Sequence, residues 1–313
     1  MRIVIALGGN AMTGPDGRAD PEDQRGAVEQ AAGPIADLVV AGDEVVLTHG
    51  NGPQVGNLLR KNELAAHVVP PVPLDWCGAQ TQATLGMLLL NALDASLASR
   101  GSDRRTAVLV SRTLVDSDDP AFAEPTKPIG RWLSEEESRP LRDHGQQFGH
   151  VEGRGWRRVV PSPQPLAALD APAAQALLAA GFVLVCSGGG GVPTVRREDG
   201  TYAGVEAVID KDLTAALVAD QLAADMLVIA TDVEAVIVDR DTPGARPLGE
   251  VTASQMRRTA GEQRFAAGSI GPKVEAVTRF VERRGGTGVI TSLERLADAV
   301  HGDAGTRVVP DPS

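Results

Sequence analysis

The 313-residue sequence is 42% hydrophobic and 23% charged, with 35 glycines and only 3% aromatics. That is the profile of a globular α/β protein with an aliphatic interior, neither disordered nor fibrous. Thirty basic against 41 acidic side chains give a net charge of −11, which repels nucleic-acid backbones and acidic membrane surfaces and argues against either as a partner.

The chain opens directly on a strand pattern, Arg2–Leu7, with no basic region, long apolar stretch and cleavage signal in series. No apolar run approaches bilayer length, so a soluble, cytosolic protein is expected. From there short β-branched runs alternate with longer helical patterns, the mark of βαβ units and a largely parallel central sheet in a domain of one or two lobes. The predicted strands are Arg2–Leu7, Glu44–Thr48, Thr106–Val110, Phe182–Ser187, Met226–Ala230, Val236–Asp239 and Thr287–Ile290. Predicted helices cover Asp20–Ala41, Pro53–Leu64, Ala79–Ser99, Ala171–Ala180, Lys211–Ala223, Thr252–Ala260 and Pro272–Arg284, with Pro53 and Pro272 near helix starts, where a missing N–H costs nothing. Between about Arg112 and Gly155 the alternation breaks into a Pro-, Asp-, Glu- and Gly-rich stretch, read as an inserted subdomain or lid. Val309 to Ser313, with two prolines, read as a loose tail.

Three strands end in glycine turns: Gly8-Gly9-Asn10, His49-Gly50-Asn51-Gly52, and Gly188 to Gly191. In an open parallel sheet ligands sit at the carboxyl ends of the strands. Backbone N–H groups in such turns, ahead of helices, can converge on an anion, although each turn alone could be simple tight geometry. No GxxxxGK[ST] occurs, and Gly50 to Gly56 has the wrong spacing for a dinucleotide fingerprint, so a P-loop enzyme and a Rossmann dehydrogenase are both disfavoured. Cys77 and Cys186 form no CxxC, and with His49, His67, His144, His150 and His301 they give no zinc-ligand spacing, so no protein-held metal is expected.

Lysine use is selective. Only Lys61, Lys127, Lys211 and Lys273 occur among the 30 basic residues. Lys61, in LLRKNEL, reads as a solvated helix residue. The other three lie in Pro-Thr-Lys-Pro, Ile-Asp-Lys-Asp and Ile-Gly-Pro-Lys, contexts that suit a compact charge aimed at a phosphoryl group. Asp210 and Asp212 flank Lys211 at a helix start, where a carboxylate either caps the helix or orients lysines.

These residues fall within longer motifs: ALGGNA at Ala6–Ala11, THGNGPQVGNLL at Thr48–Leu59, PLDWCGAQ at Pro73–Gln80, VDSDDPAFAEPTKPIG at Val115–Gly130, and GRGWRRVVPSPQP at Gly153–Pro165. CSGGGGVP at Cys186–Pro193, GVEAVIDKDL at Gly204–Leu213, GSIGPKV at Gly268–Val274 and AGTR at Ala304–Arg307 follow. Carrying them nearly end to end, the chain resembles the carbamate kinases of the amino-acid-kinase superfamily. The resemblance implies a three-layer αβα sandwich around a mainly parallel open sheet. Residues 1–200 would hold carbamate or carbamoyl phosphate, with a protruding subdomain inserted at about 118–155 and closing over the substrate. Residues 201–313 would hold ATP or ADP with Mg²⁺, and the assembly would be a homodimer.

By the same resemblance Lys127, Lys211 and Lys273 contact the phosphoryl group and Asp212 organises them, while Gly8, Gly9, Asn10, Gly50, Asn51, Gly52, Gly188 and Gly189 hold the transferred group. Thr231, Asp232 and Val233, with Ile270 and Pro272, would line the nucleotide site beside Lys211 and Lys273. The implied reaction is ATP + carbamate ⇌ ADP + carbamoyl phosphate, run toward ATP in catabolism of arginine, agmatine or a ureide. Carbamate is already an anion, so no general base is required.

Sister kinases usually carry a lysine just before the first glycine pair. Here Ala6-Leu7 fills that slot and Lys127 would supply the charge, which favours carbamate kinase over a kinase for another carboxylate or for a phosphate acceptor. A catalytically silent nucleotide-binding regulator is the alternative from another class. Departures from the pattern lie in TQATLGMLLL after Gln80, where a glycine directly after the glutamine and a later tyrosine are expected, and at Ile270, where methionine is usual. They predict altered packing or dimer contacts with catalysis retained.

Overall fold

The Arg2–Leu7 run forms a strand buried along nearly all its length. It pairs parallel on both sides, with Met226–Thr231 and with Glu44–His49. A strand covered on both faces has no polar side, which is why it reads as one apolar run. In the computed structural model, which describes residues 1–13, 19–143, 145–240, 242–263 and 270–312 and gives Asn10 and Ala11 as backbone only, this strand lies in an eight-stranded sheet. The order is Glu250–Thr252, Thr306–Val309, Thr287–Ser292, Met226–Thr231, Arg2–Leu7, Glu44–His49, Val183–Val185, Thr106–Val108. Only Thr287–Ser292 and Thr306–Val309 run antiparallel to each other.

Successive side chains leave opposite faces of a strand, and the two hydrophobic clusters follow that rule. Val4 and Ala6 join one cluster, with residues of the helices Ala171–Ala179, Lys211–Gln221 and Ile270–Arg284. Ile3, Ile5 and Leu7 join the other, with residues of Pro21–Val40, Leu74–Ser99 and Leu296–His301. The result is the expected helix–sheet–helix sandwich. Because Arg2–Leu7, Glu44–His49, Val183–Val185 and Met226–Thr231 run parallel, their carboxyl ends share one edge, and that edge carries the glycine turns.

The stretch after the third sheet strand builds its own hydrogen-bonded structure. Arg112–Leu114 joins Val192–Arg196, Tyr202–Gly204 and Ala167–Ala168 in a four-stranded sheet. Lys127–Leu133, Gly155–Val160 and Phe148–Val151 form an antiparallel three-stranded sheet, with the helix Glu135–Asp143 between its first two strands in sequence. None of these strands was predicted.

Three other expectations are corrected. The segment Val236–Asp239 is a strand only at Ile237–Val238, paired with Arg246–Pro247 in a separate two-stranded ribbon. The helix expected from Ala79 begins at Leu74, directly after Pro73. The chain end is tied down: Val309 closes the strand Thr306–Val309, and Asp311 accepts hydrogen bonds from the hydroxyl and backbone N–H of Ser254. Gly268 and Ser269, from the GSIGPKV motif, and His144 lie outside the described residues.

Candidate active site

Two aspartates two positions apart do different work at the start of the Lys211–Gln221 helix. Asp210 is its cap, accepting from the backbone N–H of Asp212 at 3.0 Å and of Leu213 at 3.3 Å; this satisfies donors the first helical turn leaves open. Asp212, 4% exposed, turns inward. Its Oδ1 accepts from Lys211 Nζ at 2.8 Å and its Oδ2 from Lys273 Nζ at 3.0 Å. Burial pushes the carboxyl pKa up, but the two ammonium groups outweigh it and hold the carboxyl below its ordinary value. Asp212 is therefore a carboxylate that carries two cations, one from its own helix and one from Ile270–Arg284, 61 positions along the chain.

The glycine turns close around this pair. Gly8 N–H donates to Ala230 O, and a Cβ on Gly8 would lie 2.9 Å from that oxygen and 3.5 Å from Thr231 Cα. Gly50 N–H donates to Leu7 O, and a Cβ on Gly50 would meet the Lys211 stem at 3.2 Å. Gly9 N stands 3.9 Å from the same point. The first two turns thus lie against each other and against Lys211. Asn10 belongs to the short 3-10 turn Gly9–Met12; its side chain lies outside what is described.

The third turn is held by close approach. Gly189 has φ +65, and a Cβ there would lie 2.1 Å from Asn51 Nδ2; one on Gly188 would lie 2.2 Å from His49 Nε2. Any side chain at either position displaces its neighbour, so Asn51 and His49 dock onto bare backbone. Gly190 O accepts from two hydroxyls, Thr113 at 2.8 Å and Thr214 at 3.1 Å. Ser187, just before, adopts φ 51, rare for a residue with a side chain.

His49 itself is 1% exposed. Its Nδ1 pairs with Gly50 O at 2.9 Å and its Nε2 has no hydrogen-bond partner among the described residues. Burial above all, helped by the Lys211 charge and opposed by the Gly50 carbonyl, lowers its pKa to about 4. The imidazole is neutral at neutral pH, with the proton on Nδ1.

A cleft of about 710 Å³ opens beside these turns, lined by Asn51, Gly52 and Gly189 on one side and by Lys127, Ile129, Gly130, Arg131 and Arg157 of the three-stranded sheet on the other. Lys127 Nζ lies 3.6 Å from Asp210 Oδ2, with its side chain 40% exposed. It therefore reaches the same helix start as Lys211, from across the cleft. Lys211, Asp212 and Lys273 are not among the residues that line the cleft; the Lys211 stem lies against Gly50.

Thr231 ends the strand Met226–Thr231 and donates to Asp232 Oδ1 at 3.0 Å. Ile270, Pro272 and Lys273 occupy the first turn of Ile270–Arg284, so Lys273 joins the nucleotide candidates of that helix to Asp212. Asp232 and Val233 follow directly after the strand Met226–Thr231. Among the described residues no group of three or more His, Cys, Asp or Glu is placed to hold a metal ion. The sequence pointed to the glycines and lysines but passed over His49, Thr113 and Thr214. His49 had a local signal, its place inside THGNG; the threonines had none, because the Gly190 carbonyl they share lies 77 and 24 positions away.

Comparison with known proteins agrees with this fold. The amino acid kinase family model matches residues 1–292. The carbamate kinases of Thermococcus kodakarensis and Pyrococcus furiosus are 44% and 41% identical to this chain, the alignments covering 98% and 99% of it and 99% of each relative. A solved structure of the carbamate kinase from Giardia lamblia bound to AMP-PNP superimposes with a TM-score of 0.94 at 41% identity, over 99% of this chain and 98% of that one.

Proposed function

The chain belongs to the amino acid kinase family, and within it we propose that it is a carbamate kinase catalysing ATP + carbamate ⇌ ADP + carbamoyl phosphate. The observation that carries this reading is the buried Asp212 holding Lys211 and Lys273 within hydrogen-bond distance, against a backbone glycine turn. Phosphoryl transfer asks little covalent chemistry of a protein. It asks for positive charge fixed around the oxygens of the group in flight.

In the direction of ATP synthesis, a β-phosphate oxygen of ADP attacks the phosphorus of carbamoyl phosphate. The bond from phosphorus to the carbamoyl oxygen breaks, and its electron pair leaves on carbamate, so no proton must move. Lys211 and Lys273 balance the charge spread over the phosphoryl oxygens, and Asp212 keeps both ammonium groups in place without taking a proton. Gly8, Gly9, Gly50 and Gly52 present backbone toward the transferred group, with Asn10 and Asn51 as amide donors and Gly188 and Gly189 closing the third side. Lys127, from the inserted sheet, supplies the cation that Ala6-Leu7 cannot. Mg²⁺ enters with the nucleotide as part of the substrate.

In this reading residues 1–200 form the carbamate lobe, with the insertion at about 118–155, and residues 201–313 the nucleotide lobe, where Thr231, Asp232, Val233, Ile270 and Pro272 contact the nucleotide. The AMP-PNP bound by the Giardia lamblia relative supports a nucleotide site. The working form is a cytosolic homodimer in the catabolism of arginine, agmatine or a ureide.

The test is ATP formation from ADP, Mg²⁺ and carbamoyl phosphate, with acetyl phosphate as competing donor, for wild type and Lys211→Ala. ATP from carbamoyl phosphate alone, abolished in the variant, is the expected result. A wild type that binds ADP but makes no ATP from either donor would replace the reading with a nucleotide-binding regulator, and preference for another acyl phosphate would point to a sister kinase.

A further inference from the structure

Thr81 and Gln82 are consecutive residues of the Leu74–Ser99 helix, 3% and 1% exposed. A buried hydroxyl and a buried amide need partners, and theirs connect to the substrate turns. Thr81 Oγ1 donates to Gly78 O at 2.7 Å, a bond back along its own helix. That commits its only proton. Toward Asn51 it can only accept, and Asn51 Nδ2 donates to it at 2.8 Å.

The bond selects one of the two flips of the Asn51 amide: nitrogen toward Thr81, Oδ1 turned away, with no second hydrogen bond from Nδ2 among the described residues. Gly189 closes the other side of the same amide, its hypothetical Cβ falling 2.1 Å from Nδ2 and 2.6 Å from Oδ1. Gln82 anchors the neighbouring turn through Ser111, donating to Ser111 O at 3.1 Å and accepting from Ser111 N–H at 2.8 Å. Ser111 Oγ in turn accepts from Ser187 N–H at 3.1 Å. A strained backbone such as that of Ser187 persists only where its surroundings over-determine it.

We propose that Thr81 is a positioning residue for the substrate end of the site, holding the Asn51 amide in the single orientation that serves carbamoyl phosphate. The role rests on the carbamate kinase reading and acts through Asn51, since Thr81 does not line the cleft. Nothing in the local helix requires it: a hydroxyl bonded back to Gly78 would be equally content without Asn51.

The experiment compares wild type, Thr81→Val, Thr81→Ser, Asn51→Ala and the Thr81→Val/Asn51→Ala double variant, varying carbamoyl phosphate and ADP separately. Valine keeps the volume and loses the acceptor; serine keeps the acceptor. Losing control of one amide predicts about a tenfold fall in kcat/KM for carbamoyl phosphate in Thr81→Val, with KM for ADP changed by less than about twofold and activity restored in Thr81→Ser. The double variant is expected to be no worse than Asn51→Ala, because Thr81 has no other route to the substrate. Additive losses in the double variant, equal impairment toward both substrates, or a Thr81→Val protein as active as wild type would each overturn the role. A wild type that makes no ATP overturns the functional reading first and the role with it.

Discussion

Acid should weaken this fold through one imidazole. Unfolded, His49 titrates at its ordinary pKa of 6.5; folded, at about 4. Between those values the unfolded chain binds a proton that the native ring refuses, so the stability gained by burying the neutral ring is complete above the unfolded pKa and drains away as pH falls toward the folded one. The two values give a loss of about 2 kcal/mol from pH 7 to pH 5, and about 3 kcal/mol by pH 4. Asp212 adds its own acid sensitivity, but its pKa is lowered from 3.8, so that contribution is lost only below about pH 4. The assay is urea denaturation followed by circular dichroism at pH 7, 6 and 5, for wild type and His49→Asn. Asparagine keeps a donor for Gly50 O and cannot titrate. The variant should be less stable at pH 7, where it lacks the packed ring, and the gap should close by about 2 kcal/mol at pH 5. A gap that stays constant across the three pH values would refute the argument that His49 is neutral because it is buried beside Lys211.

Two further substitutions separate charge from shape at the site. Asp212→Asn keeps the outline but removes the charge that holds Lys211 and Lys273; with the lysine side chains 23% and 13% exposed, both can swing toward water. The expected cost in steady-state assays is about a hundredfold or more in kcat, the scale of losing a preorganised electrostatic contact. Lys127→Met removes a cation whose nearest carboxylate lies 3.6 Å away, on side chains 40% and 21% exposed. Stability by urea denaturation should change by less than about 1 kcal/mol, while KM for carbamoyl phosphate rises about tenfold, the loss of one charged contact.

Much of what depended on neighbours in sequence was legible, and most of what depended on partners far along the chain was not. Arg2–Leu7 declared itself because a strand flanked by parallel neighbours is apolar throughout. The selective lysines stood out because arginine fills nearly every other basic position. Asp210 and Asp212, by contrast, occupy nearly the same local context, and either could have been the cap. What divides them is Lys273, brought from another helix to 3.0 Å from Asp212, a fact no local pattern around Lys211 contains. The same reason hid the strand Thr306–Val309. Four residues before a proline carry little strand signal alone, yet the strand sits between Glu250–Thr252 and Thr287–Ser292, and Thr306 Oγ1 both accepts from Val236 N–H at 2.9 Å and donates to Leu248 O. It hid the start of the Leu74–Ser99 helix as well, where Glu206 accepts the Leu74 N–H at 2.9 Å across 132 positions and takes the place of a local capping side chain. Helix ends and chain ends are where backbone groups lack neighbours of their own. A fold that satisfies them from a distance will look looser in its sequence than it is, and at Asp212 and Thr81 those distant contacts reach the site itself.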